Sequence, residues 1–186
     1  MMSEEKIDYG PLAALIGVWE GNKGMDVAPD PEGREENPYY ETITFEGVGY
    51  TKNAEKQCLA ALRYLQVVRR KSDDQVFHDQ TGYWMWDKEA GRVMQSLSIP
   101  RAVCLLAVGE ASEEENTTVL HVKSDIKDGA YGVVQSSFMH ENAKTLSYEA
   151  RFTVRDTELR YEETTMVDIY SNIFEHTDTN LLARVQ

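Results

Sequence analysis

From Tyr39 onward the chain alternates apolar and polar residues with a period of two, and short polar turns separate the alternating runs. The clearest run sets Leu146, Tyr148, Ala150, Phe152 and Val154 against Ser147, Glu149, Arg151, Thr153 and Arg155. Neighbouring side chains on a strand point to opposite faces, so this pattern describes a strand with one buried and one wet face. Gln75–Trp86 and Arg92–Ile99 read as a hairpin turned at Asp87–Gly91, and Ala102–Val108, Thr117–Ile126, Tyr131–His140 and Glu158–Tyr170 read as further strands. Tyr39, Ile43 and Phe45 share a face with Glu41, a charged residue on an otherwise apolar side.

Parallel pairing needs a crossover of a dozen or more residues, and most of these gaps are too short for one. A meander of about ten strands protects its edges most simply by closing. The expected fold is therefore all-β: a single ten-stranded antiparallel up-and-down barrel of the lipocalin or fatty-acid-binding type. A barrel of that width has room for a ligand as well as its own side chains. A short helical turn is expected at Pro11–Ile16, and Gly17–Gly21 starts the first strand around Trp19, which would close the barrel floor. Residues 1–10 read as a tail and 11–186 as the barrel domain.

Three stretches read less regularly. Met25–Pro38, with Pro29, Pro31, Gly33 and the charges Arg34–Glu36, is expected to be a long loop. Glu110–Asn116 is expected to be a solvated acidic loop. Cys58–Arg70 fits a helix through Leu59, Leu62, Leu65 and Val68 as well as a strand through Tyr64–Arg69.

The formal net charge of −13, from 32 acidic against 19 basic residues, disfavours nucleic acid and anionic membranes as partners. Cys58 and Cys104 match no metal or redox spacing and are expected to be buried free thiols in a reducing cytosol. Met1–Lys6 lacks the apolar core of a secretory signal, and no apolar run approaches the roughly 20 residues that cross a bilayer. The expected location is cytoplasmic. Oligomeric state is not legible in the sequence.

No nucleophile elbow, phosphate loop, zinc motif or dinucleotide fingerprint is present. Of the four histidines, His121 and His140 read as surface residues and His78 as a hydrogen-bonded structural residue. His176, between Phe174 and the closing run Leu181–Ala183, is placed to face an open barrel end.

Four segments, in order, resemble the nitrobindin family of heme-binding barrels. They are Gly17-Val18-Trp19-Glu20-Gly21 with Gly24; Tyr40-Glu41 with Ile43 and Phe45; His78-Asp79-Gln80-Thr81-Gly82-Tyr83; and Met166 ten positions before His176. The resemblance implies a heme b with His176 as its iron ligand and Met166, Phe77 and His78 lining the pocket. It also implies nitric oxide binding and isomerisation of peroxynitrite to nitrate. Met25–Pro38 and Ser98–Arg101 depart from the family pattern. A second reading is a carrier of a fatty acid or other small hydrophobic ligand, its carboxylate held by Arg63, Arg101 or Tyr148. A third is a small-molecule enzyme with His78 or Glu41 as base.

Overall fold

The structure is a computed structural model of the chain and describes residues 7–186. The reading of Met1–Lys6 lies outside the described residues. A 3-10 helix (Gly10–Leu15) is followed by eleven strands and one short α-helix. The strands are β1 (Gly17–Asp30), β2 (Gly33–Asn53), β3 (Gln57–Arg70), β4 (Val76–Asp87), β5 (Arg92–Ile99) and β6 (Val103–Glu114). Then come β7 (Thr117–Asp125), β8 (Val133–Gln135), α1 (Ser137–Asn142), β9 (Ala143–Arg155), β10 (Glu158–Ile169) and β11 (Asn172–Arg184). Each long strand pairs antiparallel with its neighbours in sequence, β7 pairs with β9, and β1 pairs with β11. The β5–β6 pairing completes the closed ten-stranded barrel, and three-residue β8 adds to β6 from the side.

The strands that alternate in sequence alternate in burial. Leu159, Tyr161 and Glu163 point inward on β10, as do Tyr148, Ala150, Phe152 and Val154 on β9. Cys58–Arg70 is strand: Leu62, Tyr64, Gln66 and Val68 are buried, while Leu65 of the helical alternative is exposed. Two expected loops are strand instead. Met25–Pro38 forms the end of the β1–β2 hairpin, with Met25 opposite Pro38 and Pro29 opposite Arg34. Residues 33–38 pair with β1 alone, since β3 joins β2 only from Tyr39. A stretch paired on one side tolerates proline, which has no N–H to give. Likewise β6 runs on to Glu114, and only Glu115–Asn116 turn the chain, Glu115 at φ 49°.

The expected strand Tyr131–His140 is reduced to β8. Ser136 then caps α1 by accepting a hydrogen bond from the Met139 N–H, which draws the chain into a helical turn. Both cysteines are free, and both are exposed rather than buried.

One end of the barrel is sealed. The 3-10 helix places Leu12 and Leu15 in the core beside Trp19, whose indole N–H donates to the Leu15 carbonyl. The Arg184 guanidinium lies over the Trp19 ring and donates to the carbonyls of Ala14 and Ile16. Above this floor Trp84 meets Phe152 edge to face, and Phe152 stacks on Tyr161. The opposite end holds a cavity.

Candidate functional site

The cavity, about 350 Å³, lies under the β1–β2 hairpin, α1 and the β10–β11 turn. Its apolar wall includes Val68, Leu97, Ile99, Val103, Leu105, Val167 and Ile169, and Arg70 and Arg101 line it as well. That volume is at the lower end of the range for small-molecule sites.

His176 faces this space from β11. Its Nε2 lies 2.6 Å from Asp26 Oδ1 and 3.4 Å from Asp178 Oδ2. Asp26 comes from β1 through a bulge. Trp19 and Asp26 are an odd number of residues apart, so a regular strand would put them on opposite faces. The register shift between Gly21 and Gly24 turns the strand by one residue, and both then point inward. Asn37 holds the second oxygen of Asp26 by an amide hydrogen bond of 2.9 Å. Burial opposes charge on the His176 imidazole, but the Asp26 hydrogen bond and the charges of Asp178, Asp26 and Glu163 outweigh it and raise its pKa. Burial pushes the Asp178 carboxyl well up; His176 opposes this, and Asp26, Glu163 and Glu41 add to it.

Two polar networks lie below. Glu41, inward on β2, accepts from Tyr161 and Asn180 on one oxygen and from Gln66 on the other, at 2.7–2.8 Å. Tyr39 joins through its hydroxyl contact with Tyr161, and Gly24 makes room for its ring, which a Cβ there would overlap. The second network runs from Glu163 through Tyr148 and Gln95 to Tyr64, Gln80 and His78. Burial lifts both glutamates to about 7.

The expected site residues divide. His176, His78 and Phe77 line the cavity. His78 bonds to Gln80, and burial lowers its pKa, with Arg101 and His176 adding to the effect. Phe77 is the extra residue of a bulge in β4 and stacks under Arg70. Met166 is not part of the lining. Inward positions on β10 are odd-numbered, so Met166 faces outward and Thr165 is the residue opposite His176. Among the carrier candidates, Arg63 is exposed and paired with Glu46, Tyr148 donates to Glu163, and Arg101 donates to the Phe77 carbonyl. Glu41 is sealed by its three donors and does not reach the cavity.

Asp26, Asp178 and Glu163 went unread in the sequence. Glu163 and Asp178 carry a signal, as polar residues on the inward phase of alternating strands. Asp26 carries none, because the bulge resets its phase.

A family model described as the THAP4-like, heme-binding beta-barrel domain matches residues 8–184. The chain belongs to this family, the nitrobindins. No curated protein matches it. Among solved structures it is similar to the crystal structure of Rv2717c from M. tuberculosis, at 20% identity and a TM-score of 0.72. That alignment covers 97% of this chain and 100% of the other, and it shows the shared barrel fold. Within this heme-binding family the cavity is the natural place for a small-molecule ligand. No helix among the described residues is long and apolar enough to cross a membrane.

Proposed function

We propose that the cavity binds heme b and that His176 is its axial ligand. The observation that carries this reading is the state of the imidazole. A histidine that ligates iron gives its other ring N–H to a carboxylate or carbonyl, which fixes the tautomer and raises its basicity. His176 Nε2 is engaged by Asp26, and Nδ1 has no hydrogen-bond partner among the described residues. The apolar wall of Leu97, Ile99, Val103 and Leu105 suits a porphyrin face, and Arg70 and Arg101 supply cations for propionate groups. These residues fit the group.

Bound through His176, such a heme would supply the iron chemistry on which nitric oxide binding and isomerisation of peroxynitrite to nitrate depend. The chain's own contribution is to orient the imidazole through Asp26 and to cover the apolar face from water.

Titration of the purified chain with hemin should give a Soret band that saturates at one heme per chain. His176→Ala should lose the band or shift it to that of free hemin. Equal titrations for the two proteins would remove His176 as the ligand. Peroxynitrite should decay faster with the heme-loaded chain than with the heme-free chain, and equal rates would reject that activity.

A further inference from the structure

We propose that residues 126–142, which carry β8 and α1, form a side gate in the barrel wall that admits ligand to the cavity, with Gln135 as its clasp. The gate serves any ligand of the cavity and does not depend on the heme reading.

At the cavity end the wall is not one continuous ladder. β7 ends at Asp125, opposite Ser147 of β9, and it pairs with β6 only from Val108 onward. Past the end of β7, the first residues of β6 and β9 have lost the strand between them, and residues 126–142 fill its place. β8 meets β6 through three residue pairs, Val103 with Gln135, Cys104 with Val134 and Leu105 with Val133. The Leu106 N–H donates to the Gly132 carbonyl and the Ser136 N–H to the Ala102 carbonyl on either side of them.

Toward β9 a side chain stands in for a ladder. Gln135 Nε2 donates to the Thr145 carbonyl, and Gln135 Oε1 accepts the Thr145 N–H, both at 3.0 Å. Elsewhere around the barrel, paired backbones do this work. The seam also borders the cavity directly, since Val103 and Leu105 on one side of it and Ala143 and Thr145 on the other all line that space.

α1 adds little grip. None of its six residues is buried, and Phe138 is 70% exposed. Met139 is what the helix contributes to the cavity lining, and Val133 packs the insert against the core. The other large cover, the β1–β2 hairpin, is held far more firmly. Its Gly24–Asp30 arm pairs with Gly33–Tyr39, and Met25–Val27 pair with β11 as well. A segment with few buried apolar side chains and few ladder bonds opens at lower cost than the sheet around it. With the gate closed the cavity is about 350 Å³, at the lower end of the range for small-molecule sites. Parting the Gln135 seam lifts Met139 away and bares the wall at Val103, Leu105 and Thr145, which makes room for a larger ligand to pass.

The ladder itself supplies a lock for testing this. Cys104 and Val134 are direct partners, and both are exposed. Opposite residues of an antiparallel pair stand about 4.5–5.5 Å apart at Cα, within reach of a disulfide. Val134→Cys in a Cys58→Ser chain should therefore oxidise to a bond that pins β8 to β6. Stopped-flow mixing with hemin, and separately with the fluorescent apolar probe anilinonaphthalene sulfonate, should show association at least about 10-fold slower than for the same protein reduced and desalted. Gln135→Ala should speed association and dissociation together, with affinity little changed. In the unmodified chain, hydrogen exchange at residues 133–136 should run at least about 10-fold faster than at the paired residues of β9 and β10. Equal association rates for the folded, fully oxidised protein and its reduced form overturn the gate. Residues 133–136 exchanging as slowly as β9 and β10 overturn it too, as does Gln135→Ala with unchanged rates. A chain that gives no Soret band with hemin loses the heme reading alone, because the probe kinetics and the exchange rates still decide the gate.

Discussion

Two glutamates point into the same barrel from either side of the strands that close it, Glu41 on β2 and Glu163 on β10. Both are almost fully buried, and burial lifts both carboxyls to about 7. They differ in what meets them. Glu41 has Tyr161, Asn180 and Gln66 as donors and no face on the cavity. Glu163 has Tyr148 alone and lies on the cavity wall. Equal burial has thus produced a structural acid with its acceptors filled and a site acid with an oxygen to spare. Degree of burial alone would not separate them; donor count does.

Removing the acceptor is the sharpest way to break this comparison. Glu41→Leu takes the shared acceptor from Tyr161, Asn180 and Gln66 and should cost about 3–5 kcal/mol, at about 1–3 kcal/mol for each buried donor left short of a partner. In a chain of this size that is roughly a 6–20 °C fall in Tm. Glu163→Leu leaves the Tyr148 hydroxyl its second acceptor, Gln95, and should cost about 1 kcal/mol, the net worth of one hydrogen bond. Equal losses in thermal unfolding would show that the donors on Glu41 do not matter.

The pH dependence, which the two share, comes next. A carboxyl raised from 4.5 to about 7 keeps its proton in the folded state where the unfolded chain has lost it. Its stabilising contribution is full below about pH 4.5 and falls away as the pH climbs toward 7. At about 1.4 kcal/mol per pH unit, each group accounts for roughly 3 kcal/mol of that decline. Glu163→Gln cannot ionise and still accepts from Tyr148. Urea unfolding should find it close to wild type near pH 4.5 and more stable than wild type at pH 8. Matching pH profiles for the two proteins would mean that Glu163 does not titrate in this window.

The smallest effect concerns the turn above the cavity. Tyr170 and Ser171 connect β10 to β11 with φ of 52° and 63°, a conformation that suits Asn-Gly. Replacing the pair with Asn-Gly should stabilise the fold by about 1 kcal/mol. Tyr170 also lines the cavity, so the same double variant should bind hemin more weakly. Unchanged stability would show that the turn carries no strain.

Much of the fold was legible because period-two alternation is a direct readout of which face each side chain takes. The inward position of Glu41 followed from that pattern, and so did a cavity facing His176. The failures have local causes. Prolines disguised the end of the β1–β2 hairpin as a loop, since composition does not say which strands are paired on one side only. A spacing matched from Met166 to His176 ignored strand phase, which puts Thr165 there instead. Asp26 was hidden because a bulge is a property of ladder register, and the residues of β1 alone do not reveal it.

Asp26 and His176 are 150 residues apart, on the two strands whose pairing closes the barrel. Contacts of such long sequence separation carry a large loop-closure entropy and slow the folding of all-β chains. A chain with β1 to β10 assembled already has most of the cavity wall but lacks the histidine that a ligand would grip. Any ligand held across this seam acts as a latch on the final closure. Its expected kinetic signature is slower unfolding with an unchanged refolding rate, which ties the lifetime of the closed barrel to occupancy of its site.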